Sequence, residues 1–216
     1  MGLIADNLPA FWSGFLMTLR LTVVAGAFAL VIGVLLAAMR VSPLRPVRGF
    51  AVTYVEILRN TPLTLLFFGT ILVLPQFGVI PPLGFWTAII CLTLYTSAFV
   101  CEAVRSGINS VGVGQAEAAR AIGLTFGQSL REVILPQAMR TSVPPLINVL
   151  IALAKNTSVA AGFGVVELAA TFRRVGLANP GDWFQCLLGV AFFYLIITIP
   201  AGQLAGAIER KVAFAR

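Results

Sequence analysis

The sequence predicts an all-α integral membrane protein with five transmembrane helices in a single domain, 1–216, and three observations lead there. Hydrophobic residues make up 59% of the chain and charged residues 11%, with a mean hydropathy of +0.96. That leaves too little polar material to coat a water-soluble globule. The chain also contains long charge-free runs on the scale of the ~20 residues a helix needs to cross the hydrocarbon of a bilayer. Finally, Lys and Arg are sorted unevenly between those runs, as membrane topology requires. A length of 216 residues exceeds one helical hairpin but is short for a complete carrier, so a membrane domain that pairs with another chain is expected.

The first span is 11–39: Phe11, Trp12 and Phe15 lead into a stretch, 21–39, without charge, and Arg20 interrupts it. The run 60–101 is also charge-free and too long for one crossing, and Pro75, Gly78, Pro81, Pro82 and Gly84 mark a turn inside it. It divides into a second span, 53–74, with Glu56 and Arg59 at headgroup level, and a third, 86–105. The fourth, 141–163, encloses Lys155 and opens on Pro144-Pro145; the fifth, 184–208, carries Pro200 as a kink. Five crossings put the termini on opposite sides. With the N-terminus outside, the positive residues beyond the membrane divide eleven inside to two outside, Arg173 and Arg174. The cytoplasmic set is Arg40, Arg45, Arg48, Arg59, Arg105, Arg120, Arg131, Arg140, Arg210, Lys211 and Arg216. The reverse orientation would invert that excess. Trp12, Trp86 and Trp183 fall at outer span ends, as an interfacial aromatic belt requires. The segment 106–140 is then a cytoplasmic loop, and it is the longest non-spanning stretch.

Several function classes are excluded. The net charge of +7 comes from singly scattered Lys and Arg, so nucleic acid is not an expected partner. Cys91, Cys101 and Cys186 lack CxxC spacing and read as small buried hydrophobes. The chain has no His and no G-x-S-x-G, so neither a catalytic nor a metal site is expected. Its two lysines, Lys155 and Lys211, are followed by Asn156 and Val212, which rules out a P-loop in this sequence. The apolar run near the N-terminus is too long for a signal-peptide core and is expected to be retained.

Within the loop, Ile122, Phe126, Leu130, Val133 and Ile134 recur at the spacing of one apolar helix face. Gly123 suits the left-handed residue that ends a first short helix, and Thr125 with Gln128 fits a capping box that starts a second. Leu135-Pro136 closes the unit. Such a helix, turn and helix, with Glu117 and Arg120 at its front, either docks into a groove on a soluble partner or lies on the membrane surface.

The order Glu117-Ala118-Ala119, three residues, Gly123, nine residues, Val133, one residue, Leu135-Pro136 resembles the EAA loop of ATP-binding-cassette importer permeases. Val133 stands where that pattern usually has Ile. Arg59-Asn60-Thr61-Pro62-Leu63, Ser106-Gly107-Ile108, Gly114-Gln115 and Lys155-Asn156-Thr157-Ser158 are similar to the polar amino-acid uptake branch. The run from Tyr95-Thr96-Ser97 through Glu102, Arg105 and Asn109 to Ala119 looks like glutamate or glutamine permeases. The resemblance implies the type I ABC importer permease architecture in the bacterial cytoplasmic (inner) membrane. It also implies that Gln115, Glu117, Ala118, Ala119, Arg120, Gly123, Leu135 and Pro136 belong to a coupling loop seated on an ATPase subunit. Implied partners are nucleotide-binding subunits that hold ATP and Mg, a second permease chain (sister or self) and an extracytoplasmic amino-acid-binding protein. This chain itself would bind no cofactor and would be surrounded by lipid. Glutamate is the expected substrate, with glutamine, aspartate or a basic amino acid as alternatives. A secondary carrier or channel is the alternative of another class, and it leaves the loop unexplained.

An ionised side chain at membrane depth costs roughly 2.5–3.5 kcal/mol on insertion scales and asks for a partner or a task. Lys155, Asn156, Thr157 and Ser158, with Arg20, Asn60 and Thr61, are the candidates for the substrate pathway. Lys155 either meets a substrate carboxylate or pairs with Glu167 or a neighbouring chain. Glu56 with Arg59, and Glu102 with Arg105, read as structural i, i+3 ion pairs.

Overall fold

The computed structural model describes residues 2–213 of the chain; Arg216, one of the cytoplasmic cations counted above, lies outside the described residues. A short helix α1 (Gly2–Asp6) leads into α2 (Leu8–Arg40), which starts on Pro9 in its first turn, where the missing N–H costs nothing. After α3 (Arg45–Asn60) come α4 (Leu63–Phe68), a π turn at Gly69–Val73 and a 3₁₀ turn at Leu74–Phe77. Helix α5 (Phe85–Asn109) precedes the loop helices α6 (Val113–Ala121) and α7 (Phe126–Gln128). A π turn, Ser129–Ile134, then joins α8 (Leu135–Asn156), which tightens into 3₁₀ geometry over Thr157–Phe163. The chain ends in α9 (Leu168–Ala178) and α10 (Trp183–Ala213). Among the described residues four helical stretches are long and apolar enough to cross a membrane alone, and a bent pair makes a fifth if it is counted as one span.

Helix α5 sits at the centre: 67% of its most apolar window is buried, against 39% for α2 and 22% for the windows of α8 and α10. Lipid tails are as apolar as Leu, so burial from water does not hold these helices together; close packing and interhelical hydrogen bonds do. Gly33 of α2 lies against α5 so tightly that an added Cβ would meet Ser97 O at 2.8 Å. Gly107 of α5 does the same for α8, with Ala138 O at 2.7 Å from the position of a Cβ. Tyr54 of α3 adds a polar tie, its hydroxyl 3.1 Å from Leu94 O and 2.8 Å from Ser97 Oγ. On the other side of α2, Phe11 and Phe15 pack with Leu168, Val175 and Phe193 and bind α9 and α10 to the bundle.

The second crossing departs from the expectation. A single helix over 53–74 does not form: α3 ends at Asn60, and the chain turns by 105° before Leu63–Phe77. Pro62 is the cause, because its ring excludes the residue before it from the helical region, and Thr61 accordingly has φ −98°, ψ 129°. Glu56 and Arg59 therefore lie on a separate basic helix rather than at the end of the spanning segment. The fourth crossing differs too. Helix α8 begins at Leu135, so Leu135-Pro136 opens it instead of closing the loop, and Pro144-Pro145 lie well inside. The π turn accommodates this, since Leu135 N bonds back to Leu130 O and the wider turn makes room ahead of a ring that clashes with a regular helical ladder.

Helix α9 was not expected between the fourth and fifth crossings. Its N-cap is Glu167, which is fully buried and accepts hydrogen bonds from Ala169 N and Ala170 N, both at 2.9 Å.

Replacing Gly33 by Leu is expected to separate α2 from α5 at a cost of about 1–3 kcal/mol or more, as overpacking does. It will lower the thermal aggregation midpoint of the detergent-purified protein. Gly49, inside α3 with open space around its Cα, should tolerate Ala with no loss and up to ~1 kcal/mol of gain. An undisturbed midpoint for Gly33→Leu would contradict the close contact.

Candidate functional site: a rigid loop beneath a small cavity

The loop is built from local signals. Gly112 precedes α6, and Gly123 ends it at φ +86°, a left-handed conformation that costs a Cβ-bearing residue energy. Leu124 N donates to Ala119 O at 3.1 Å and Gly123 N to Arg120 O at 3.0 Å, the two bonds of a Schellman turn. Both halves of the capping box are formed: Thr125 Oγ1 accepts from Gln128 N at 3.4 Å, and Gln128 Oε1 accepts from Thr125 N at 2.9 Å. Ala119 and Ser129 are buried where the two short segments meet. The turn is therefore held on both sides and presents a fixed surface.

What it presents differs from the expected single apolar stripe. The Schellman turn separates Ile122 from the helix that follows, so the five apolar residues do not share one helix face. Leu130, Val133 and Ile134 are half-buried, while Ile122 and Phe126 project at the tip with 78% and 77% of their surface exposed. Gln115, Glu117, Ala118 and Arg120 are exposed beside them, and Arg120 Nε reaches only its own helix, at Ala116 O, 3.4 Å. Leu135 and Pro136 are exposed at the start of α8.

Above the loop, the loop-side ends of α2, α3 and α5 converge on Glu102. Arg105 donates to Oε2 through Nε at 3.1 Å and Nη2 at 2.8 Å, as the i, i+3 spacing predicts. Arg40 hydrogen-bonds Oε1 from the end of α2, and Arg59 stands 3.6 Å from the same oxygen. The expected Glu56–Arg59 pair is thus replaced: Glu56 takes Asn60 Nδ2 at 3.3 Å instead, and Arg59 turns inward with its guanidinium carbon 5.8 Å from the Phe99 ring centroid. The half-buried carboxylate outcompetes an exposed one on the same helix because water screens its field less.

Phe99 also borders a cavity of about 130 Å³ between α5 and α8, lined by Tyr95, Thr96, Phe99, Val149, Ala152, Leu153 and Asn156. Of the seven residues expected along the pathway, Asn156 reaches this lining. Thr157 turns into the core, where its hydroxyl donates to Ala154 O at 2.8 Å. Lys155 and Arg20 are exposed on the bundle surface, and Ser158 is half-buried. Asn60 and Thr61 cap the end of α3, donating to Glu56 O at 2.8 Å and Ile57 O at 2.7 Å. The Lys155–Glu167 pairing does not form, because the Glu167 carboxylate is taken up by the N-terminus of α9 and by Tyr194 Oη at 3.0 Å. Tyr95, Thr96 and Phe99 were missed as lining residues, although their i, i+1, i+4 spacing puts them on one side of a helix. A second, larger cleft of about 560 Å³ near Phe68, Leu72, Leu83 and Phe163 is lined by apolar residues and glycines and has no polar side chain in its wall.

Comparison with known proteins places this geometry. The family model described as "Binding-protein-dependent transport system inner membrane component" matches residues 29–214. The chain is 39% identical over 223 residues to the glutamate transport system permease protein GluC of Corynebacterium efficiens, covering 95% of this chain and 93% of that one. It is 37% identical over 214 residues to the probable glutamine ABC transporter permease protein GlnM of Bacillus subtilis, covering 98% and 97%. The crystal structure of an amino acid ABC transporter with histidines matches at a TM-score of 0.89 and 31% identity, over 96% of each chain. The chain belongs to the binding-protein-dependent transport system inner membrane components: it is a multi-pass, amino-acid ABC transporter permease, a transport subunit whose ATPase site is on another chain.

Proposed function

We propose that this permease imports glutamate, with its N-terminus outside and its C-terminus in the cytoplasm, and that residues 115–136 seat on the ATPase subunit. The observation that carries the loop assignment is its tip. Ile122 and Phe126 stand exposed on a turn fixed by a Schellman motif and a capping box. Each gains about 1.5–3 kcal/mol when fully buried, so a groove on a soluble partner suits them and water does not. Glu117 and Arg120 flank the tip as charged rim residues, and Gln115, Ala118, Ala119, Gly123, Leu135 and Pro136 supply its backbone and base. ATP and Mg belong to the partner subunit. A second permease chain completes the pore, and an extracytoplasmic binding protein delivers the amino acid.

In this reading ATP binding draws the loops together, and the bundles rock between inward- and outward-open states. Both cavity-lining helices run into the loop region, α5 at Asn109 and α8 at the π turn. Asn156 and Thr96 offer the cavity hydrogen-bonding groups; Lys155 and Arg20, exposed on the single chain, would face the pathway across the second permease, where a substrate carboxylate neutralises them. The GluC relative supports glutamate. The GlnM relative favours glutamine as the second reading, with aspartate or a basic amino acid behind it.

Proteoliposomes holding the complete importer should take up radiolabelled glutamate only with ATP. Glu117→Lys and Phe126→Asp should each cut uptake at least about tenfold, a loss of ~1.4 kcal/mol or more in coupling, while the chain still inserts. Unlabelled amino acids then name the substrate by competition. Carriage by this chain without ATP, unaffected by Glu117→Lys, would establish a carrier or channel instead.

Lys155→Met should raise the glutamate concentration for half-maximal uptake about tenfold, the scale of one charge-assisted hydrogen bond, with normal assembly. Unchanged affinity and rate would remove Lys155 from the pathway.

A further inference from the structure

Glu102 is surrounded by more positive charge than it neutralises. Arg40 takes Oε1, and Arg105 takes Oε2 through two donors. Arg59 arrives third, and at 3.6 Å from Oε1 it stands beyond hydrogen-bond length. Three guanidiniums share one carboxylate, which leaves two net positive charges in one cluster. The surplus faces outward: Arg59 and Arg105 are 39% and 37% exposed, whereas Arg40 is 13% and Glu102 17% exposed. A guanidinium carries five N–H donors, and most of those on Arg59 are unspent on Glu102. The Phe99 ring centroid lies 5.8 Å from the Arg59 guanidinium carbon, so Arg59 has a second contact besides the carboxylate.

The surroundings indicate the kind of anion that would complete the cluster. Helix α3 packs Ala51, Val55 and Leu58 against α2 and α5. It also exposes Phe50 and Ile57 and carries Arg45 and Arg48 in its first turn. A basic helix with exposed apolar side chains sits at the boundary between headgroups and acyl chains. Basic pockets between helices on the cytoplasmic side are suited to anionic headgroups, and the guanidinium fork matches phosphate oxygens. We propose that Arg59 and Arg105 bind the phosphate of an anionic phospholipid of the inner leaflet, whose single negative charge offsets half of the surplus around Glu102. The assignment rests on the reading that the loop end of the bundle is cytoplasmic.

The test uses the intact importer extracted from membranes containing phosphatidylglycerol, with co-purifying lipid read by native mass spectrometry. Wild type should retain the lipid through washing, and Arg59→Gln with Arg105→Gln should lose it at least about tenfold. Arg59→Lys with Arg105→Lys, which keeps the charge and removes the fork, should fall between them. Arg45→Gln with Arg48→Gln, on the same helix away from the cluster, should retain it as wild type does. Glu102→Gln should hold the lipid more tightly against salt, because it frees a third cation. A purely structural cluster would not produce that sign. Equal retention in the double Gln variant and wild type overturns the site, and so does a loss on Glu102→Gln as large as that of the double variant. In delipidated complex, inorganic phosphate should displace rebound labelled lipid only weakly; saturable binding of free phosphate in preference to lipid would overturn the lipid source. ATP-driven uptake in the same preparations separates the outcomes: transport with no lipid retention removes this site alone, and an outward-facing loop in an accessibility assay removes the topology beneath it.

Discussion

Backbone groups inside a bilayer must find their hydrogen-bond partners within the protein, since no water is there to replace them, and this constraint decides where the chain stops being a helix. Each break in the described residues is closed by a side chain or a special backbone geometry. At the bend before α4, Asn60 and Thr61 return their donors to the last carbonyls of α3. Before α9, Glu167 accepts the first free N–H groups of the helix. At the end of the 3₁₀ segment, Gly164 turns left-handed at φ +86°. In the loop, where water is available, the same economy appears in the Schellman turn and capping box. There it produces rigidity rather than mere tolerance.

Glu167, fully buried, and Glu102, half-buried, show how differently one charge can be accommodated. Among the described residues no cation meets Glu167: two backbone N–H groups at the positive end of α9 and the Tyr194 hydroxyl share it. It ties α9 to α10 at a point where Thr18 Oγ1, 3.3 Å from Leu168 N, brings in α2. Glu102 is handled the opposite way, with cations from three helices. Removing Glu167 would free donors of one short helix, whereas removing Glu102 would leave guanidiniums repelling one another across three helix ends.

What the sequence disclosed follows from how far each signal reaches. The all-α membrane class is written in composition, because lipid exposure demands it of nearly every residue. The turn at Gly123 and the capping box at Thr125 were legible because their partners lie within a few residues along the chain. The 105° bend at Thr61–Pro62 was only half legible: Pro62 announced a break, but the direction of the chain after it depends on Phe67 and Leu63 packing against α5. Spacing pairs Arg59 with Glu56, whereas in the fold it meets Glu102, because residues 43 positions apart in sequence come together at the helix ends. The cavity lining was missed for the same reason. Its two walls come from α5 and α8, and no local period encodes which faces of two helices will meet.

Those two helices carry the mechanical consequence of the fold. Helix α5 runs from the cavity at Tyr95 and Phe99, past Glu102, to the loop at Asn109. Helix α8 leaves the loop through its π turn and reaches the same cavity at Asn156. Between them, Gly107 admits Ala138 and Ser142 at contact distance, so the pair has little freedom to slide near the loop. A displacement of the loop tip therefore reaches the cavity through helices rather than through linkers. Arg59 gives the third connection: it bridges Glu102 of α5 and the Phe99 ring while belonging to the helix that ends at the Thr61–Pro62 bend. Arg59 thus links α5 to the bend, where Pro62 has no N–H to contribute to a helical ladder.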